Sequence, residues 1–263
     1  MSPKSRPHDH LADVYDRWLA GDESAKRCLD FYLQRLGGVR DLTLELGVGT
    51  GRITNGLATR GVPIVGLDHA LPMLQQTREN QSSRSPGLIQ GQFQYLPFRQ
   101  VFSAVICPMR TIGHLLKPAD QQAVFSEVFR VLKPGGTFTF DHYNIDLDWA
   151  AAHNSQPRVM HAGPDTARED AAVLIWDRYD YNFPCQQLHC TVTIEQVGMA
   201  GSIYSSRNVN FDFRWFTYKE INDLAVNSGF EVVECYGDFS GAPFKESSEH
   251  MIWILRKPIA ANV

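Results

Sequence analysis

The run Leu44-Glu45-Leu46-Gly47-Val48-Gly49-Thr50-Gly51-Arg52 holds the residues best spaced to do chemistry: an acid near the end of an apolar segment, then three glycines within five residues. Glycine removes the side chain where a backbone must approach a ligand, and it adopts dihedrals that cost other residues energy. A strand that stops, turns tightly and becomes a helix can therefore receive a nucleotide-like group there. The spacing separates the candidate ligands. A dinucleotide fingerprint needs a glycine at the sixth position from Gly47, where Arg52 stands, and no Gly-Lys-Ser/Thr ending is present for a phosphate-cradling loop. What remains is E-x-G-x-G-x-G, with Asp68 at the end of the next apolar run, Val62-Pro63-Ile64-Val65-Gly66-Leu67. A carboxylate at that place can accept both hydroxyl protons of a ribose.

This combination resembles the class I S-adenosylmethionine-dependent methyltransferases. The resemblance extends through Gly91-Gln92-Phe93-Gln94-Tyr95-Leu96-Pro97-Phe98, similar to the family's adenine-holding segment after the third strand. It continues through Phe102-Ser103-Ala104-Val105-Ile106-Cys107 as the fourth strand and Leu132-Lys133-Pro134-Gly135-Gly136-Thr137-Phe138 as the turn into the fifth. Together these motifs cover roughly residues 10 to 142 and, more weakly, 217 to 256. The family usually has Asp where this chain has Gln92, so an amide oxygen would meet the adenine amino group. The resemblance implies S-adenosyl-L-methionine as cofactor, with Glu45 holding its ammonium group and Gly47, Gly49, Gly51, Asp68, Gln92 and Phe93 lining its site. It also implies an N-terminal lid in which Tyr15 and Trp18 cover the cofactor and Tyr15 faces the sulfonium; the alternative is a surface aromatic pair.

Methyl transfer from a sulfonium is an in-line displacement, so a protein mostly aligns and desolvates the nucleophile and, where necessary, deprotonates it. Arg110 and His114 come after the fourth strand, whose carboxyl end opens on the site in doubly wound folds; Arg110 is a cofactor-binding candidate and His114 the first candidate for general base. A catalytic His114 would make the rate rise with pH through its titration, whereas a bland one would satisfy a loop carbonyl. His142, beside Asp141 and just past the fifth strand, is the second candidate. Cys185, His189 and Cys190 suggest a metal only until strand geometry is considered, since His189 and Cys190 point to opposite faces and no second cluster completes a ligand set. No metal is expected.

The elements that must position these residues alternate. Asp22 to Leu36 carries a helical stripe of Cys28, Phe31, Tyr32 and Leu36; further helices span Gly51 to Gly61, Pro72 to Glu79 and Asp120 to Leu132, with strands between them. That is the pattern of a parallel sheet covered on both faces. After Phe140 the period becomes two. Val173 to Tyr181, Leu188 to Glu195 and Ile203 to Trp215 alternate as half-exposed strands of an antiparallel meander, with turns at Pro184-Cys185-Gln186-Gln187 and Gly198-Met199-Ala200-Gly201. Phe211, Phe213 and Trp215 share one face, either packing or lining a substrate pocket. Thr217 and Glu220 form a capping box, and strands Glu231 to Tyr236 and His250 to Arg256 finish the sheet. Gln81 to Gly87 is a polar loop.

The chain is thus expected to be α/β, a Rossmann-like seven-stranded doubly wound sheet with an antiparallel β lobe inserted after the fifth strand. The expected division is an N-terminal helical lid over 1–40, a cofactor-binding domain over 41–142 and 217–263, and a substrate-covering lobe over 143–216. The 263 residues suffice for a buried core, and the net charge of -4, with basic residues scattered singly, gives nucleic acid or an anionic membrane little electrostatic purchase. Five cysteines without a C-x-x-C pair suggest reduced thiols, and the start lacks the apolar stretch of a signal peptide, so a cytoplasmic protein is expected. The favoured activity is methylation of an amine or hydroxyl on a small-molecule acceptor of secondary-metabolite or amino-sugar type. C-methylation of an activated carbon, an RNA or protein methyltransferase, and a non-catalytic cofactor-binding module are the alternatives; homo-oligomerisation is left open.

Overall fold

Strand-length apolar runs alternating with amphipathic helices can bury both kinds of face only by layering, and the computed structural model shows that solution. It describes residues 7–81, 85–165, 168–198 and 200–259. Met1 to Arg6, three residues of the polar loop at 82–84, and Met199 of the meander turn lie outside the described residues.

In chain order, α1 (Tyr15–Trp18) and α2 (Glu23–Leu36) precede β1 (Thr43–Leu46), α3 (Arg52–Thr59), β2 (Ile64–Asp68), α4 (Leu71–Glu79) and β3 (Gly87–Gln90). Next come β4 (Phe102–Cys107), α5 (Pro118–Val131), β5 (Leu132–Tyr143) and α6 (Leu147–Ala152). The lobe is β6 (Arg158–Pro164), β7 (Ala171–Asn182), β8 (Gln187–Gly198) and β9 (Ile203–Arg214), after which α7 (Tyr218–Asn227), β10 (Glu231–Tyr236) and β11 (His250–Arg256) return to the main sheet.

The seven-stranded sheet runs β10-β11-β5-β4-β1-β2-β3; β1 to β5 are parallel, and β11 inserts antiparallel between β5 and β10. Alternation along β4 sends Val105 to one face and Ala104 and Ile106 to the other. On the first face α5 and α7 pack Phe125, Val128 and Ile221 against Leu44, Phe138, Phe140 and Trp253. On the second, α2 and α3 pack Phe31, Tyr32, Ile53 and Leu57 against Ile64 and Ile252. The capping box of α7 forms as expected, Thr217 accepting from the Glu220 N–H while Glu220 accepts from the Thr217 N–H.

The lobe is a separate four-stranded antiparallel sheet, β6-β7-β8-β9. Its inner face, with Val173, Ile175, Cys190, Val192 and Val209, buries Leu11, Val14, Trp18 and Leu19 of the N-terminal segment, and Ala70 and Met73 of the α4 region. The segment expected as one N-terminal lid is therefore two things: α2 belongs to the core of the main sheet, and only residues 7–21 lie between sheet and lobe. His142 is also corrected. β5 continues to Tyr143 because β11 pairs with it through His250, so His142 lies inside the strand, opposite Met251. All five cysteines are free.

Candidate active site

Between β1 and α3 the three glycines all take left-handed dihedrals, φ +78° at Gly47, +57° at Gly49 and +88° at Gly51. Their reasons differ. A Cβ on Gly47 would lie 2.4 Å from Thr111 Cγ2, and one on Gly51 2.6 Å from Asn55 and Thr77 side-chain atoms, so packing requires both. A Cβ on Gly49 would meet nothing nearer than Tyr15 Cε1 at 4.0 Å, because Gly49 faces a cavity of about 350 Å³. Asp68, at the end of β2, ties this loop down: Oδ2 accepts from the Gly49 N–H and Oδ1 from the Ala70 N–H, both at 2.9 Å. An ionised carboxylate has about four lone-pair directions, so two remain for a diol.

Gly47, Gly49, Asp68, Gln92 and Phe93 line this cavity together, with Tyr15 and His114 at its far side. Glu45 does not line it. Its carboxyl is buried, accepts a hydrogen bond from Thr54 Oγ1, and is pushed up to about 8 by burial. Glu45, expected to hold the ammonium group, is instead turned toward α3 through its bond to Thr54, and burial there disfavours its charged form.

A second cavity, of about 550 Å³, lies between the ends of β4 and β5, residues 8–22 and the inner face of the lobe. Arg110 and Trp18, expected at the cofactor, both belong here and not in the first cavity. Met109 and Arg110 take positive φ of 56° and 61°, which swings the Arg110 guanidinium onto Asp22 at 2.9 Å and over the Tyr143 ring at 4.4 Å. Trp18 donates its indole N–H to Asp177, which also pairs with Arg158 at 2.9 Å. Phe211 and Phe213 line this cavity, while Trp215 lies past β9 and packs against Tyr181 and Phe183.

The two cavities share His8, Tyr15 and His114. The His8 and His114 rings meet edge to face at 4.8 Å, and Phe211 and Phe213 lie against His114 at 5.7 and 5.1 Å. Burial, reinforced by the neighbouring imidazoles of His8 and His69, holds the His114 pKa well below the usual histidine range, and the Asp212 backbone bonds its ring. His8 is lowered likewise, chiefly by burial. The Asp212 contact is of the kind a bland His114 would make, and the lowered pKa runs against a titration of activity through this ring. His142 reaches neither cavity: it stacks under Phe213 at 5.6 Å, is pushed down to about 3 by burial and then by Arg110 and Arg214, and has no hydrogen-bond partner on either nitrogen among the described residues. Among the described residues no group of three His, Cys, Asp or Glu is placed to hold a metal, and no helix is long and apolar enough to cross a membrane.

Residues 43–136, from β1 into β5, match the family described as a methyltransferase domain. The solved structure of the CcbJ methyltransferase from Streptomyces caelestis superposes on 97% of this chain and 99% of its own, at TM-score 0.77 and 25% identity. The chain is an S-adenosylmethionine-dependent methyltransferase with the class I fold. This methyltransferase is also 31% identical, over 63% of its length and 64% of the relative's, to the glycine/sarcosine N-methyltransferase of Parasynechococcus marenigrum (strain WH8102). It shares the fold of S-adenosylmethionine-bound CalS10, an amino pentose methyltransferase of Micromonospora echinaspora involved in calicheamicin biosynthesis, at TM-score 0.62 and 20% identity over 97% and 92% of the two chains.

The cofactor of the methyltransferase is S-adenosyl-L-methionine, and the first cavity suits such a group. The glycine that faces open space, the Asp68 carboxylate with unused lone pairs and the Phe93 ring supply a close backbone, diol acceptors and an apolar wall. No motif points to His8, which lies in a 3-10 turn, Pro7–His10, far in sequence from the glycine loop and from Asp68. Its only sequence signal is the His8-Asp9-His10 cluster ahead of the aromatic Tyr15 and Trp18.

Proposed function

We propose that this methyltransferase moves a methyl group from S-adenosyl-L-methionine in the glycine-loop cavity to an amine or hydroxyl of a small molecule held in the second cavity. The observation that carries this reading is the seam: two cavities sharing His8, Tyr15 and His114 give donor and acceptor a common wall to meet across. An acceptor space of about 550 Å³ is of a size for a small molecule, and its aromatic lining suits a sugar-like or amino-acid-like body. The N-methylation named for the glycine/sarcosine relative and the amino pentose named for CalS10 favour an amine among such acceptors.

When bound, the cofactor supplies a methyl group already activated on cationic sulfur. The Asp68 carboxylate accepts from the ribose hydroxyls, Gln92 and Phe93 hold the adenine, and the Gly49 backbone lies against the ligand. Residues 7–21 act as the lid, with Tyr15 closing the seam to water. His114, uncharged and with one nitrogen given to Asp212, orients an acceptor N–H or O–H through the other. Because burial disfavours its charged form, it is a poor store for a proton, so the amine enters neutral and alignment provides most of the acceleration.

The test is a transfer assay with labelled S-adenosylmethionine against a panel of small amines, amino sugars, phenols and enols, with bulk RNA and protein in parallel. Label on a nitrogen or oxygen of a small molecule supports the reading. Label on carbon alone, or only in RNA or protein, overturns it.

A further inference from the structure

Asp141 takes no part in either cavity, yet its placement is specific. One residue past the point where Cys107 of β4 pairs with Phe140 of β5, it faces the turn that leaves β4. Its Oδ1 accepts the Met109 N–H at 2.9 Å and its Oδ2 the Arg110 N–H at 3.0 Å; Tyr32 Oη donates to Oδ1 at 3.4 Å. The carboxylate is 1% exposed. The residues it holds are the two consecutive non-glycine positions with left-handed dihedrals, φ 56° and 61°, a conformation that residues with a Cβ rarely adopt. The turn leads directly into both cavities. Arg110 swings into the acceptor cavity, Thr111 packs against Gly47 of the cofactor loop, and His114 closes the short helical turn Thr111–His114 at the seam.

We propose that Asp141 is a positioning residue whose two carboxylate oxygens clamp the strained Met109–Arg110 turn and thereby set Thr111 and His114 against the cofactor cavity. The chemistry of the clamp is selective. Two backbone donors on two different oxygens need an acceptor at both, which a carboxylate provides and a carboxamide does not. In Asp141→Asn one N–H must face an NH2 group, and with that bond lost the turn can relax toward right-handed dihedrals. The clamp depends on the cofactor cavity alone and not on the identity of the acceptor.

The experiment measures S-adenosylhomocysteine binding by calorimetry and amide hydrogen exchange at residues 109–114. Asp141→Asn should weaken binding by about tenfold, the equivalent of losing one hydrogen bond to a charged group, and lower protection at 109 and 110. The deciding variants are Met109→Gly and Met109→Ala, each combined with Asp141→Asn. Both remove the same side chain except for one methyl, but only glycine takes φ near +56° without strain, so Met109→Gly should restore most of the affinity and Met109→Ala should not. If Asp141→Asn does not fold, the glycine double variant should, and that rescue is equally diagnostic. Unchanged binding and protection in Asp141→Asn, equal rescue by alanine and glycine, or failure of the glycine double variant to fold would each overturn the clamp.

Discussion

Gly49→Ala separates a loop shaped for a ligand from a loop shaped only for the fold. At Gly49 an added Cβ meets nothing nearer than Tyr15 Cε1 at 4.0 Å, so the variant carries the strain of a left-handed alanine, about 1 to 2 kcal/mol, and no collision. For a chain of this size that is a loss of roughly 2 to 8 °C in Tm. The ligand effect should be larger in proportion. A ligand at 100 times its Kd stabilises by about 2.7 kcal/mol, roughly 5 to 11 °C. If the new methyl fills space the cofactor needs and raises Kd by about a hundredfold, the same concentration contributes about 0.4 kcal/mol, close to 1 °C. Thermal melts with and without S-adenosylhomocysteine read both quantities, and NAD should shift neither protein. Gly47→Ala is the contrast, since its Cβ would stand 2.4 Å from Thr111 Cγ2 and should damage the apo fold. A Gly49→Ala protein that keeps the full ligand shift refutes the reasoning, as does one whose apo Tm falls as far as that of Gly47→Ala.

Asp68→Ala should weaken S-adenosylhomocysteine binding by about 1 to 3 kcal/mol, through loss of the ribose contacts and of the bond that fixes Gly49; an unchanged Kd in calorimetry would place the ribose elsewhere. His114→Ala should lower kcat with cofactor affinity almost unchanged, and the wild-type profile should show no titration of this group between about pH 6 and 9, because its folded pKa lies well below the usual range; a wild-type step abolished in the variant would show that His114 titrates after all. Stability should fall on acidification. His8, His114, His142 and His250 have lowered folded pKa values, so below about 6.5 the unfolded chain binds protons that the native one refuses, while Glu45 near 8 and Asp141 near 6 are raised and oppose them. Four groups against two leave up to about 3 kcal/mol lost per pH unit between about pH 6 and 4.5, and urea titrations showing equal or greater stability at about pH 5 than at about 6.5 would contradict that balance.

The features legible in the sequence are local ones. The stripe of Cys28, Phe31, Tyr32 and Leu36, the capping box at Thr217 and the strands at 231–236 and 250–256 stand where their patterns place them, because each is decided by periodicity or by a cap. α6 and β6 escaped. Leu147–Ala152 is six residues long, too short for a period, and Arg158–Pro164 is an edge strand of mostly half-exposed residues with a bulge between Val159 and His161. The site divides the same way. Gly47, Gly49 and Asp68 are contiguous with their motifs and line the cavity, whereas Arg110 left it because two non-glycine residues take left-handed dihedrals, which no propensity signals. The raised pKa of Glu45 and the lowered pKa of His114 come first from burial in the folded chain, and no spacing rule contains that.

The same desolvation bears on how a seam of histidines can serve a cationic donor. Charged imidazoles at His8 and His114 would repel a sulfonium across a low-dielectric gap, where unit charges interact far more strongly than in water. Burial removes that conflict by keeping both rings neutral, and it leaves them as acceptors of hydrogen bonds with aromatic faces of Phe211 and Phe213 beside them. The cations that remain nearby are matched: Arg110 by Asp22 and Arg158 by Asp177, so neither is left to oppose the donor or an amine approaching it. A protein arranged in this way contributes little as an acid or base. In the proposed function its contribution is a neutral, shaped passage between two cavities, held in register by residues 7–21 and the turn after β4.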